Sequence, residues 1–358
     1  METTSTSTFS SIASRSSTYS TPGPSSCCDR LSWKLWFRPV EMNRRNRTAV
    51  TEFLLLGFGK IQNFRILILI LFLLISLASL TGNFLVILLV ASNKSLHSPM
   101  YFFLSQMSLS DILFTSTIMP NMLAIISSGE CSMSVAGCMI QFYFLGVPTV
   151  AQCLLLGAMS FDRFVAICNP FHYISIMTFK LQLHVVIVCW LLGFSLVFII
   201  YIFLAELEFC DSNIIDYFYC DITPVADISC SDTAAVELVT SLLSAPLVLS
   251  PFLFIVVTYT FILLTIFRIP SVSGRWKAFS TCTSHLTVVC MYYGTLAINY
   301  AVPRRVHSIN VSKGLCLMYV VVTPFFNPII YSLRNRDIRR AIQKSVNVWR
   351  KCVQMKDF

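Results

Sequence analysis

The sequence predicts an all-α membrane protein: a bundle of seven transmembrane helices, N-terminus outside, with a short amphipathic helix after the seventh span. Three observations carry that expectation. Only 12% of the 358 residues are charged, against about 25% in a typical soluble domain. Seven segments approach the roughly 20 apolar residues that a bilayer core demands of a helix. Lys and Arg fall unequally on the two sets of connecting loops.

In chain order, residues 1–60 read as an extracellular N-terminal segment. Its first 28 residues are Ser/Thr-rich around Pro22-Gly23-Pro24, a composition that cannot bury a core. No apolar stretch of a signal peptide appears there. Met42 follows closely, so residues 1–41 read either as a disordered extension or as the product of an alternative start. The spans are Ile66–Ala91, Met100–Ile126, Met139–Ala166, Val185–Leu204, Ala235–Phe267, Phe279–Tyr300 and Leu315–Tyr331. Together they make a seven-transmembrane domain over 61–331. Polar and Pro interruptions in the second and seventh suit helices packed inside a bundle. Residues 332–358 form a tail with an amphipathic helix.

Orientation follows from the loops. Lys94, Arg163, Lys180, Arg268, Arg275, Lys277 and the basic tail after Tyr331 share one face, against Arg304, Arg305 and Lys313 on the other. The richer face is cytoplasmic. Arg44, Arg45 and Arg47 before the first span run against this bias, and the tail excess outweighs them. The long outer connection, 205–234, holds seven acids and neither Lys nor Arg. It also holds Cys210, Cys220 and Cys230, on the same face as Cys138. Four outward cysteines read as two disulfides, with three connectivities open.

Several function classes drop out. The net charge of +9 is scattered and collects near membrane ends, so nucleic acid is not an expected partner. The remaining cysteines mostly sit singly in apolar runs without any CxxC, which argues against a metal site. The five histidines are dispersed, His184 and His285 lying near helix ends, and no catalytic constellation is visible; an enzyme is not expected. A retinal pigment would need a lysine within Leu315–Tyr331, which has none. An insect-type chemoreceptor channel would place its N-terminus inside.

Two charged features remain inside the apolar runs. "MSFDRFVAICNP" sets Asp162 beside Arg163 after an uncharged stretch from Met139 to Phe161, at the depth where a guanidinium can snorkel to water. Asp111 is the one acid in the middle of a span, a functional position by default.

These features fall into a pattern: Asn83 in "GNFLVILLV", Asp111 in "LSQMSLSDI", Asp162-Arg163-Phe164, Trp190, Pro251, and Asn327-Pro328-Ile329-Ile330-Tyr331. In that order they resemble the rhodopsin-like G-protein-coupled receptors. "TEFLLLGF", "PMYFFLSQMSLSDI", "MSFDRFVAICNPFHY", "CDITPVADISCSDT", "RIPSVSGRWKAFSTCTSHL" and "TPFFNPIIYSLRNRDIRRAI" narrow this to the vertebrate olfactory receptors of the tetrapod-type class. The resemblance covers 42 to about 345. The "FCDSNIIDYFYCD" loop looks most like the subgroup numbered six.

The resemblance implies an odorant receptor of the plasma membrane of olfactory cilia, multi-pass in the lipid bilayer. It implies a small volatile ligand and a stimulatory olfactory-type G protein raising cAMP. The alternative is a receptor for an endogenous small molecule in another tissue. Asp162 would hold Arg163 in the silent state, and Arg163 would meet the G protein on activation. Phe164 stands in place of the usual tyrosine, and Ser160-Phe161 in place of Ala-Tyr. Tyr259 and Tyr331 would line the opened cavity, with Lys277 on the sixth helix and Asn327 and Pro328 on the seventh. Asp111 would share a water or sodium network with Asn83 and Asn327; no other cofactor is implied. The disulfides would be Cys138–Cys220 and Cys210–Cys230, and Asn46 would be glycosylated.

The family's ligand pocket maps onto Leu145, Gly146, Thr149, Val150 and Cys153 of the third span and Leu243, Ser244 and Leu247 of the fifth. Tyr293, Leu296, Ala297 and Tyr300 of the sixth and Leu317 and Val320 of the seventh complete it. No charge appears among them, and Leu145 stands where amine receptors place an Asp. A buried amine would lack a partner, so a neutral, mostly apolar ligand is expected. Gln152 stands where relatives often carry Glu, which removes a buried charge. Pro148 is expected to bend the third helix.

Overall fold

Apolar runs set the architecture. The computed structural model describes residues 50–57, 64–210, 212–301, 313–314, 317, 320–321, 323–334 and 336–354. Its long helices are α1 (Arg65–Ser92), α2 (Pro99–Ser128), α3 (Val135–Cys168), α4 (Phe179–Ala205), α5 (Ala234–Arg268), α6 (Val272–Ala301), α7 (Thr323–Arg334) and α8 (Arg336–Gln354). By length and composition, α1 to α5 can each cross a membrane. α6 contains the sixth span and α7 the inner part of the seventh, which completes a seven-helix bundle. The Ser/Thr-rich stretch 1–41 and Asn46 lie outside the described residues.

Helix ends are set by local chemistry. The Ser134 hydroxyl accepts from the Gly137 N–H at 3.0 Å and starts α3; Thr178 accepts from the Leu181 N–H at 3.4 Å and starts α4. α2 opens on Pro99, where a missing N–H costs nothing. It closes on Gly129, whose φ of 94° is the left-handed conformation that glycine adopts freely. α4 and α6 begin six and seven residues before the expected Val185 and Phe279. Helical hydrogen bonding continues into polar residues that the apolar pattern cannot count. α3 is one continuous helix through Pro148.

α3 is the centre of the bundle. In its most apolar stretch 61% of residues are buried, against 17% in α1. α1 turns Ile66, Leu67, Leu74, Leu77 and Phe84 outward, a surface that only lipid tails would match. α3 and α4 approach closely because each offers a glycine. A Cβ on Gly193 would lie 2.9 Å from the Val147 carbonyl oxygen, and one on Gly146 would lie 2.8 Å from Val197 Cγ1.

The outer end carries a small sheet that the all-α reading did not include. β1 (Glu52–Leu56) is its middle strand. It pairs antiparallel with β2 (Glu130–Ser134), Leu54 opposite Ser132, and parallel with β3 (Ile214–Ile215), Leu54 beside Ile214. Phe53 and Leu55 alternate inward and are fully buried. Phe53 meets Phe209 edge-on with ring centres 4.9 Å apart. Two disulfides hold the strand-bearing loop: Cys138–Cys220 fastens it to α3, and Cys210–Cys230 closes it on itself. Of the three connectivities open to the spacing, this is the one the family resemblance implied.

Candidate functional site

At the cytoplasmic end of α3, Asp162 is fully buried and Arg163 nearly so. Arg163 Nε donates to Asp162 Oδ2 at 2.9 Å, and Nη2 donates to the same oxygen. The other carboxylate oxygen accepts from the Tyr173 hydroxyl at 2.8 Å. Burial first, and then the Asp162 carboxylate, raise the Tyr173 phenol above its ordinary range, so it stays a donor. The aspartate is thus held from two sides, and the guanidinium's hydrogen bonds go to its own helical neighbour, Asp162, rather than to another helix.

One helical layer away, the Tyr259 hydroxyl of α5 and Nδ1 of His285 on α6 lie 2.7 Å apart, with the rings stacked. His285 is fully buried. Sequence reasoning had set it near a helix end, because the apolar run was counted from Phe279. With α6 starting at Val272, His285 lies almost four turns in. Ser160 of α3 and Thr258 of α5 share a hydrogen bond beside this pair. Tyr331 is buried. Lys277 points to solvent.

Three helices converge on Asp111 of α2. Its Oδ1 accepts from Gln152 Nε2 of α3 at 2.7 Å, and its Oδ2 accepts from Asn327 Nδ2 of α7 at 2.9 Å. All three residues are buried. Asn83 of α1 reaches α7 by another route: its amide donates to the Pro324 carbonyl at 3.0 Å, and Ser79 donates to the same oxygen at 3.1 Å. Asn83 and Asp111 therefore both grip α7, at Pro324 and Asn327, one helical turn apart. Pro328 packs close to Gly82 of α1, where a Cβ would come within 3.1 Å of its ring. By sequence Gln152 marks only a missing charge; its donor role becomes visible once α2 lies beside α3.

In the outer half, the residues assigned to the ligand divide between two faces. Leu145, Cys153, Tyr293, Leu296 and Val320 belong to one buried apolar cluster, with Leu317 packed against it. Val150 belongs to a second cluster on the α4 side, with Leu243 and Leu247 against it. Gly146 faces Val197 of α4, a packing position rather than a lining one. Ser244 is half-buried and Ala297 exposed; the Tyr300 side chain lies outside the described part. Polar groups are few: Cys153 Sγ lies 3.2 Å from the Tyr293 hydroxyl, and Tyr292 donates to the Thr149 carbonyl at 2.9 Å. Thr149 donates to the Leu145 carbonyl in its own helix at 2.9 Å.

Over this half lies the loop. Gln141 ties it down, donating to the Thr117 carbonyl of α2 and accepting from the Cys220 N–H, both at 3.0 Å. Lys313, buried at the outer end of the seventh span, donates to the Gly57 carbonyl at 2.8 Å and pairs with Asp216 of the loop. Sequence reasoning had counted Lys313 only as a topology charge. Nothing in the local pattern marks it as a tie between three distant segments.

The chain is similar to known receptors over most of its length. A family model described as olfactory receptor matches residues 72–348. Olfactory receptor 11A1 of Homo sapiens is 41% identical over 305 residues, 85% of this chain and 96% of the relative. Olfactory receptor 1f45 of Rattus norvegicus is 42% identical over 303 residues, 85% and 97% respectively. Olfactory receptor 6B1 of Homo sapiens is 40% identical over 303 residues, again 85% and 97%.

Proposed function

The chain belongs to the olfactory receptor family, a multi-pass membrane receptor and not an enzyme, and from that premise we propose that it detects a small, neutral, mostly apolar odorant. The odorant sits among Leu145, Cys153, Tyr293, Leu296 and Val320, and its binding activates a stimulatory olfactory-type G protein that raises cAMP in the cilia of sensory neurons. The observation that carries the ligand class is the lining itself. Its polar atoms are a thiol and a phenol 3.2 Å apart, with no carboxylate or amine among the residues assigned to it. Charged ligands would shed water there without compensation, whereas an apolar one with a single acceptor or donor group would not.

Coupling follows from the inner half. In the structure Arg163 is held by Asp162, and the Tyr259 hydroxyl bonds His285; these contacts support reading the arrangement as a resting one. A ligand shifts the receptor toward its signalling state only by binding that state more tightly. Tyr293 and His285 lie on the same helix, α6, so a contact at the first can bias the second. When α6 moves outward, Tyr259 and Arg163 are freed to face the G protein, with Tyr331 beside them. A cAMP reporter screen of matched volatile series (alcohol, ketone, carboxylate, amine) tests the reading. Responses should come from neutral members; agonists drawn only from the amines or carboxylates would overturn it.

A further inference from the structure

The Asp111 centre holds three helices by one carboxylate, and each carboxylate oxygen is met by a side-chain amide. The family resemblance implies a water or sodium network here, so the donor set has to be tested against a cation. Sodium, a hard cation, takes oxygen ligands. Gln152 and Asn327 present N–H groups to Asp111, whose positive hydrogens oppose a cation. Turning the Gln152 amide over would put two acceptor oxygens 2.7 Å apart, which repel. Among the described residues no lysine, arginine or histidine pairs with Asp111. The open acceptors of this region, Asn83 Oδ1 and Asn327 Oδ1, are buried and unpartnered. Carbonyl oxygens of this kind can ligate a hard cation, but they are neutral, and with an N–H on each Asp111 oxygen they do not by themselves offset a cation's lost hydration.

We infer that in this chain the Asp111 centre is an amide clasp that excludes sodium, and that Gln152 is the positioning residue responsible. The consequence is functional: the grip of α2 on α3 and α7 does not depend on extracellular sodium. Asp111 joins the helices through hydrogen bonds alone, with Gln152 contributing the bond that a carboxylate at its position could not.

The test uses the purified full-length receptor in detergent. Thermal unfolding is followed in sodium chloride and in choline chloride at equal ionic strength, a readout independent of G-protein coupling. The intact chain should unfold at the same midpoint in both salts. Gln152→Glu supplies a second carboxylate and should unfold about 3 °C higher in sodium than in choline, the size of shift a bound ion gives. Gln152→Ser, which frees Asp111 Oδ1 without adding charge, should move in the same direction by less. It serves as the reporter if Gln152→Glu does not fold. The inference is overturned if the intact chain is stabilised by sodium and Asp111→Asn removes that stabilisation. It is equally overturned if the folded Gln152 variants unfold identically in the two salts.

Discussion

The inner and outer halves of this bundle are joined in different ways. In the inner half, specific hydrogen bonds tie helix to helix: Asp111 to Gln152 and Asn327, Asn83 to Pro324, Tyr259 to His285, Ser160 to Thr258. In the outer half, apolar side chains fill the space between α3, α5 and α6. Among the described residues the inter-helix polar contacts there are those of Cys153 with Tyr293 and the Leu247 carbonyl and of Tyr292 with the Thr149 carbonyl, while Gln141 and Lys313 bond the loop above. Directional bonds define discrete arrangements, whereas apolar packing tolerates exchange of one side chain for another of similar volume. We propose on this basis that the inner half decides whether the receptor switches and the outer half what it answers to.

The outer half has its own fixed part, the loop above it, and the largest expected effect lies there. Cys138→Ser removes the bond from loop to α3; disulfide loss costs about 2–5 kcal/mol. Surface expression, measured by flow cytometry on intact cells, should fall most for this variant. Normal surface levels would mean the loop is not a structural element of the outer half. Gly193→Val comes next. Its side chain would meet a backbone carbonyl, which cannot move aside, so thermal unfolding in detergent should show a loss of about 1–3 kcal/mol. Unchanged stability would mean that α3 and α4 are not closely packed.

Changes at hydrogen bonds should be smaller and should separate the halves. His285→Leu removes the α6 partner of Tyr259 and should raise ligand-free cAMP about fivefold at matched surface level, as losing one hydrogen bond worth about 1 kcal/mol would. Basal output that stays level or falls would place the resting latch elsewhere. Tyr293→Phe deletes only the hydroxyl beside Cys153. It should shift half-maximal concentrations by up to about tenfold for ligands with a hydrogen-bonding group. Hydrocarbons should respond as before; an equal shift for them would show that the ring, not the hydroxyl, sets the pocket.

How much of this the sequence makes legible differs between the halves for a physical reason. Asp111, Asp162 and Arg163 stand out because charge inside an apolar run is costly, and the motifs around them place Asn327 and Tyr331. In the outer half such signals are missing. Lipid is as apolar as a protein core, so an all-apolar helix does not reveal which face points inward. Gly146 therefore reads as pocket but packs on α4. Gln152 is uncharged and so carries no signal of its role, which depends on Asp111 in another helix. The small sheet was hidden for a related reason: burial alternates along Glu52–Leu56 but the residues do not, Phe53 to Leu56 being all apolar, and the partners are about 80 and 160 residues away.

Arg163→Ala, assayed by cAMP production at equal surface level with an odorant that activates the intact receptor, tests most directly whether the inner half is the switch. Arg163 is held by Asp162 rather than bridging helices, so the substitution should leave the bundle folded and ligand binding intact. The account predicts loss of the cAMP response with binding and surface level preserved. A normal response would contradict it and leave Arg163 as an anchor at the membrane edge.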